Sequence, residues 1–447
     1  MATSNEEKQL KTDDGLALLD SLRNHILEQL DHAVPNDCIQ LCKLSTLAII
    51  ADRPEDVLEK AKEQLHAYPY EKVPTHWRRL YEDATSFATF NPAKRQKLDR
   101  DIPRTNDWLA EFCNVVDRAV IISGAPGRKH LIDDTLKHLE VFVKSEWTDA
   151  PPRRLLTPRP PPLDTPYAIL RTPRSWDFEE FQLHLDTTGS PVIIPDTFEH
   201  WPARTHWDDI NYLLYKTLGG KRVVPVEIGS SYTEANWTQK IMPFGAFVEN
   251  YLLAPCQQEQ EEQQEQEPSP PIGYLAQHNL FTQIPSLQSD ISTPDYCYTT
   301  PPPTNPSFST TKTSTIQQPQ PLDSPLLNAW LGPPGTKTPL HTDPHHNILC
   351  QVVGYKYIRL YNPLWTKYLY PAGVDAAGVD MGNTSLVDVK VWRGDVDEEE
   401  KKKFPEFGKA EYLEAVLGPG ECLYIPLGWW HYVESLTASF SVSFWWN

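Results

Sequence analysis

One pair and one distant partner constrain this chain most. His341 and Asp343 form an H-x-D pair inside NAWLGPPGTKTPLHTDPHHNILCQVVGYKYIRLYNP, and His431 stands far downstream in YIPLGWWHYVESLTASFSVSFWW. That separation is too long for a local motif, so a shared role requires a fold that lays distant strands side by side, as a barrel does. Two imidazoles and one carboxylate on one face of a metal leave the opposite positions open. Such an arrangement suits non-haem Fe(II), which needs room for a co-substrate and oxygen. His345 and His346 follow the pair but break its spacing, and they are read as pocket rim or surface.

The surrounding pattern is that of strands. Leu423, Ile425 and Leu427 alternate before Gly428, SFSVSFW alternates near the end, and SPVIIPD and VVPVEIG read as strands upstream. Many short strands closing on themselves make a jelly roll that can hold one small ligand. Two stretches lack a buried-face pattern and are expected as mobile insertions: CQQEQEEQQEQEPSPP (residues 256–271) and TTPPPTNPSFSTTKTSTIQQPQPLD (residues 299–323).

The first third reads as helices. Leu19, Leu22, Ile26 and Leu30 recur at helical spacing, and a second such run passes through Leu41, Leu44 and Leu47. ADRPEDVLEKAKEQL predicts a helix with Asp52 as cap and Pro54 in its first turn; others follow Thr75 and span Leu131 to Val143. PPRRLLTPRPPPLDTP is stiff by composition and marks a linker. The expected fold class is α+β: an all-α helical domain over residues 1–150, a Pro-rich linker over 151–170 and a catalytic jelly roll over 171–447.

The formal net charge of −19 disfavours a phosphate backbone as partner and favours a basic peptide or protein. The seven cysteines are scattered without a C-x-x-C pair, which argues for a reducing compartment and against structural zinc. The polar start MATSNEEKQLKTDD is not a secretory signal, and no apolar run reaches membrane-spanning length. PAKRQKLD (Pro92 to Asp99) resembles a monopartite nuclear localisation signal, so nucleus, cytoplasm or both are expected.

Five pieces occur in the order of a known family: PVIIPDTFEHWPA, YLAQHNLF, AWLGPPGTKTPLHTD, GYKYIRLYNP and IPLGWWHYVESL with SFSVSFWW. The chain from about Arg171 onward resembles the Jumonji C (JmjC) oxygenases, and most resembles the branch with an N-terminal helical domain described as lysine demethylases and arginyl hydroxylases. The resemblance implies a double-stranded β-helix (jelly-roll, cupin-like) and the cofactors Fe(II) and 2-oxoglutarate. It implies that His341, Asp343 and His431 hold the metal, and that Lys356, Thr338, Asn347 and Tyr274 contact 2-oxoglutarate. A buried lysine is costly without an anion, which agrees with Lys356 as a carboxylate ligand.

For the substrate, Glu227 and Trp237 match pocket positions of the arginyl-hydroxylase branch, and Trp330 is read as pocket wall. A carboxylate can grip a guanidinium with two hydrogen bonds while an indole stacks on its plane. Hydroxylation of an arginine side chain in a protein is therefore the first reading. Nε-methyl-lysine demethylation is the enzymatic alternative, and a catalytically silent binding module is the non-enzymatic one. No membrane or direct nucleic-acid partner is expected. The chain ends directly after its last strand, so a monomer is expected.

Overall fold

The computed structural model describes residues 17–18, 21, 24–30, 37–69, 72–90, 108–147, 150–229, 237–253, 272–307, 319–374, 378, 380–393 and 398–447. The basic run at 92–99 and the insertion at 256–271 lie outside the described residues. Two compact units divide the chain. One comprises Met1–Ala150, Leu214–Val224 and Ile241–Gly245, the other Pro151–Leu213, Pro225–Lys240 and Ala246–Asn447.

The first unit is built on α1 (Pro54–His66), α2 (Thr75–Phe90), α3 (Trp108–Ser123) and α4 (Lys129–Glu146). Pro54 takes the first helical position of α1, where its missing N–H costs nothing. That places Arg53, not Asp52, at the cap, and Arg53 makes no side-chain capping bond. Val57 and Ala61 of α1 pack with Leu80 and Ala84 of α2 around buried Cys42. The run through Leu41, Leu44 and Leu47 does not form one buried stripe: it breaks into two single turns, and Leu41 and Leu44 are exposed. α3 contributes Phe112, Cys113 and Val116 to a second cluster with Leu136 and Leu139 of α4. Its Asp117 is fully buried and paired with Arg222 at 2.6 Å. GAPGRKH is a turn between α3 and α4, with Gly124 and Gly127 at positive φ.

In the second unit α5 (Phe178–Thr187) starts with a capping box between Asp177 and Glu180. The strands are β1 (Leu170–Arg171), β2 (Val192–Pro195), β3 (Val223–Ile228), β4 (Thr238–Pro243), β5 (Gly273–His278), β6 (Leu326–Gly332), β7 (Lys337–Thr342), β8 (His346–Val353), β9 (Lys356–Tyr361), β10 (Tyr412–Leu417), β11 (Glu421–Ile425), β12 (Trp430–Ser435) and β13 (Ser439–Trp446). The large sheet runs β1-β2-β11-β8-β13-β6-β5-β3-β4, and the small one β10-β9-β12-β7. Among the described residues the registers are antiparallel except that of β1–β2, giving the α+β jelly roll expected.

The period of two assigns each side chain to a layer. Ile358 and Leu360 of β9 meet Leu349, Leu423, Ile425 and Val433 between the sheets, while Tyr357 and Tyr361 face outward against Phe404 and Phe407. Each fully buried Leu or Ile contributes roughly 1.5–3 kcal/mol to this core. In β13 the aromatic face looks out, Phe440 stacking on Trp207 at 4.2 Å, which turns Ser439, Ser441 and Ser443 to the opposite face. The proline-rich segment is tied down: Ile210 N donates to Arg153 O and Leu155 N to Asp208 O. The stretch expected as mobile from Thr299 begins with order, because Thr299 is buried and the Asn305 amide donates to Gly189 O at 2.9 Å.

Candidate metal centre and co-substrate pocket

His341 lies near the end of β7 and directly opposite His431 of β12. Thr338 lies opposite Val433 in the same pair, so β7 spends three steps where β12 spends two. In a regular strand Thr338 and His341 would point to opposite faces. The bulge turns both into one cavity. Asp343, two residues beyond His341, returns to the same face.

The three groups converge. His341 Nε2 is 3.5 Å from one Asp343 oxygen, and His431 Nε2 is 3.4 Å from the other. The three ligand atoms lie within 4.8 Å of one another. His341 Nδ1 is 2.7 Å from the Pro339 carbonyl, and His431 Nδ1 is 3.1 Å from that of Trp429. A carbonyl only accepts, so each Nδ1 carries a proton, which leaves Nε2 as the atom of each ring that would bind a metal. The Asn347 amide donates to Asp343 Oδ2 at 3.0 Å and steadies the carboxylate. Burial works against the charge on Asp343, but His431 and His341 outweigh it and hold its pKa well below the usual carboxylate range. Two imidazoles and a carboxylate with their far side open to a cavity fit Fe(II).

The cavity, about 30 Å³, is also lined by Tyr274, Trp330, Thr338, Asn347 and Lys356. Lys356 shares the inward face of β9 with Ile358 and Leu360 and is buried. Its ammonium donates to the Tyr274 hydroxyl at 3.1 Å, and burial draws its pKa down to about 7. The Tyr274 hydroxyl also bonds Thr338. A buried ammonium with a neutral partner is short of an anion, and Asn347 Oδ1 is buried without a partner. These features fit a small dicarboxylate. Trp330 forms wall, its indole N–H donating to Ser443 Oγ at 2.9 Å.

All seven residues expected to hold the metal or the co-substrate line this one cavity, brought there by the bulge, the β9 alternation and the β5–β6 pairing, and Trp330 joins them as wall. Glu227 and Trp237 do not line it. They bond each other, Trp237 Nε1 donating to Glu227 Oε2 at 3.3 Å. Glu227 is the cross-strand partner of Tyr274, so it emerges from the same face of the sheet beside the cavity. Burial raises its pKa against the bonds from Trp237 and Gln239.

His346 corrects the expectation of a rim residue. It is buried against Tyr424, its Nδ1 meeting the Tyr424 hydroxyl at 3.0 Å and accepting from Leu427 N at 3.3 Å. Burial lowers its pKa to about 3. Alternation could have flagged it, since a residue next to inward-facing Asn347 points into the opposite packed layer.

A model of the cupin-like domain matches residues 179–447. Lysine-specific demethylase 8 of Danio rerio is 34% identical over 421 residues, covering 91% of this chain and 90% of the relative. The chain belongs to the cupin-like JmjC family. Lysine-specific demethylase JMJ30 of Arabidopsis thaliana is 33% identical over 91% of this chain and 88% of its own length. Lysine-specific demethylase 8 of Xenopus tropicalis is 39% identical over 64% of this chain, a match that spans about half of that relative (54%). JmjC proteins depend in general on Fe(II) and 2-oxoglutarate, and this JmjC chain is a 2-oxoglutarate-dependent oxygenase of the demethylase or hydroxylase kind. Among the described residues no helix is long and apolar enough to cross a membrane.

Proposed function

We propose that this JmjC oxygenase oxidises a basic side chain of a protein substrate, with His341, Asp343 and His431 holding Fe(II). Lys356, Tyr274, Thr338 and Asn347 would bind 2-oxoglutarate. The observation that carries the reading is the single cavity lined both by the three convergent ligand atoms and by a buried lysine lacking an anion. When bound, the metal and 2-oxoglutarate would supply oxidation of a C–H bond to C–OH by O2, one oxygen atom going to the substrate and the other to succinate as CO2 is released. The chain's own groups fix the rest. The carbonyls of Pro339 and Trp429 set the imidazole tautomers, Asn347 orients Asp343, and the apolar walls from Leu349, Ile425 and Val433 exclude water.

The relatives are named lysine-specific demethylases, so Nε-methyl-lysine demethylation takes first place over the arginine reading drawn from the sequence. A basic, histone-like substrate accords with the acidic charge of the chain. Arginine hydroxylation stays as the second reading because of one pair. Glu227 and Trp237 join beside the cavity, where a carboxylate and an indole suit a guanidinium. The intact ligand set weighs against a silent module.

Mass spectrometry decides among them. The chain is incubated with iron, 2-oxoglutarate and matched peptides bearing methyl-lysine or arginine. Loss of a methyl group supports demethylation, gain of one oxygen on arginine supports hydroxylation, and no change in any peptide overturns the enzymatic proposal.

A further inference from the structure

A second concavity lies in the JmjC unit, away from the residues that line the metal cavity. Its volume is about 490 Å³, against about 30 Å³ for that cavity. Trp201 and Phe198 form its floor, buried and packed on each other at 4.5 Å. Half-buried Trp176 and exposed Phe178 stand at its sides. Around these aromatics sit four carboxylates, Asp177, Glu179, Asp196 and Asp295, and no lysine or arginine lines the cleft.

The carboxylates are not consumed by the fold to equal degree. Asp177 caps α5. Glu179, Asp196 and Asp295 have no ion-pair partner among the described residues, and the nearby Arg174 is already engaged with Glu180 at 2.6 Å. The cleft therefore offers carboxylates without ion-pair partners next to the accessible rings of Trp176 and Phe178, with His200 as its one basic side chain. Lysine and arginine side chains match both parts. Their stems cover apolar surface while the charged head meets a carboxylate or a ring face. The metal cavity, at about 30 Å³, has no room to read neighbouring residues, whereas this cleft does.

We propose that the cleft is a second binding site, for a lysine or arginine side chain of an extended basic peptide. The site is distinct from the metal centre and its occupancy requires neither metal nor co-substrate.

The test uses the full chain in EDTA and fluorescence anisotropy with a fluorescein-labelled peptide of alternating glycine and arginine. A variant combining Asp196→Asn, Asp295→Asn and Phe178→Ala changes exposed side chains only. It is expected to bind at least about tenfold more weakly than the parent chain. A control, Glu398→Gln with Glu399→Gln, removes the same amount of charge from an exposed helix outside the cleft and is expected to keep the parent affinity. Equal loss in both variants would assign the binding to overall acidity and overturn the proposal. Unchanged binding in the cleft variant would overturn it as well. Circular dichroism establishes that both variants fold. Because metal is excluded, failure here leaves the catalytic reading untouched, and failure of that reading leaves this result standing.

Discussion

The Lys356 ammonium donates to the Tyr274 hydroxyl across 3.1 Å, in a cavity wall where both residues are buried. A hydroxyl satisfies one donor but cannot balance a charge, and desolvation accordingly brings the lysine to about 7. Only the protonated form attracts a carboxylate. Below pH 7 the free protein carries the ammonium, and above it that fraction falls. The Lys356 contribution to 2-oxoglutarate affinity is therefore expected to weaken as pH rises past about 7. Calorimetric titration with Mn(II) in place of iron checks this, and Lys356→Met should weaken binding and flatten the profile. An unchanged profile in that variant would remove Lys356 from the co-substrate site.

Metal binding should be visible as stability. A ligand that binds only the folded state contributes about 2.7 kcal/mol at one hundred times its dissociation constant. Mn(II) is expected to raise the unfolding midpoint of the parent chain. His341→Ala and Asp343→Ala should abolish both that rise and 2-oxoglutarate turnover while the chain stays folded. A full Mn(II) response in either variant would mean that the metal lies elsewhere.

Glu227→Gln separates the two substrate readings. If the Glu227–Trp237 pair holds a guanidinium, losing the charge costs about 2–5 kcal/mol of binding, as expected for one partner of a desolvated ion pair. Arginine-peptide turnover should then drop by orders of magnitude, while slow 2-oxoglutarate turnover without peptide persists. Undiminished arginine hydroxylation in the variant would show that Glu227 does not read the substrate.

Much of this architecture was legible, and the rest was hidden for definable reasons. The H-x-D pair and distant histidine are short, type-specific signals. Lys356 was placed by resemblance, and the alternation of its strand agrees with that. The turn of Thr338 into the same cavity as His341 was not legible, because their spacing of three contradicts strand alternation and only the bulge against β12 reconciles it. α3 was not singled out although its buried Leu109, Phe112, Cys113 and Val116 recur at helical spacing, because further apolar residues such as Val120, Ile121 and Ile122 on its other sides blur that stripe. Leu41 and Leu44 misled for the opposite reason, having helical spacing without a partner surface. His346 was misplaced because its polarity outweighed its register.

Asp117 is the residue within α3 that periodicity could explain least, and its partner supplies the last prediction. Its carboxylate accepts from Arg222 Nε and Nη2 and from the Val223 backbone N–H, with both side chains fully buried. Burial alone would lower the arginine pKa, but Asp117 more than offsets it, so Arg222 stays charged. Two opposed effects follow from substitution. Replacing both residues with apolar ones removes two desolvation costs together, whereas replacing one strands a buried charge. Asp117→Leu alone is expected to destabilise the first unit by about 3–5 kcal/mol. The double variant Asp117→Leu with Arg222→Met should recover most of that loss. Urea unfolding followed by circular dichroism measures both. If the double variant is as unstable as the single one, the cost lies in the lost Val223 hydrogen bond or in packing, and the stranded charge is not its source.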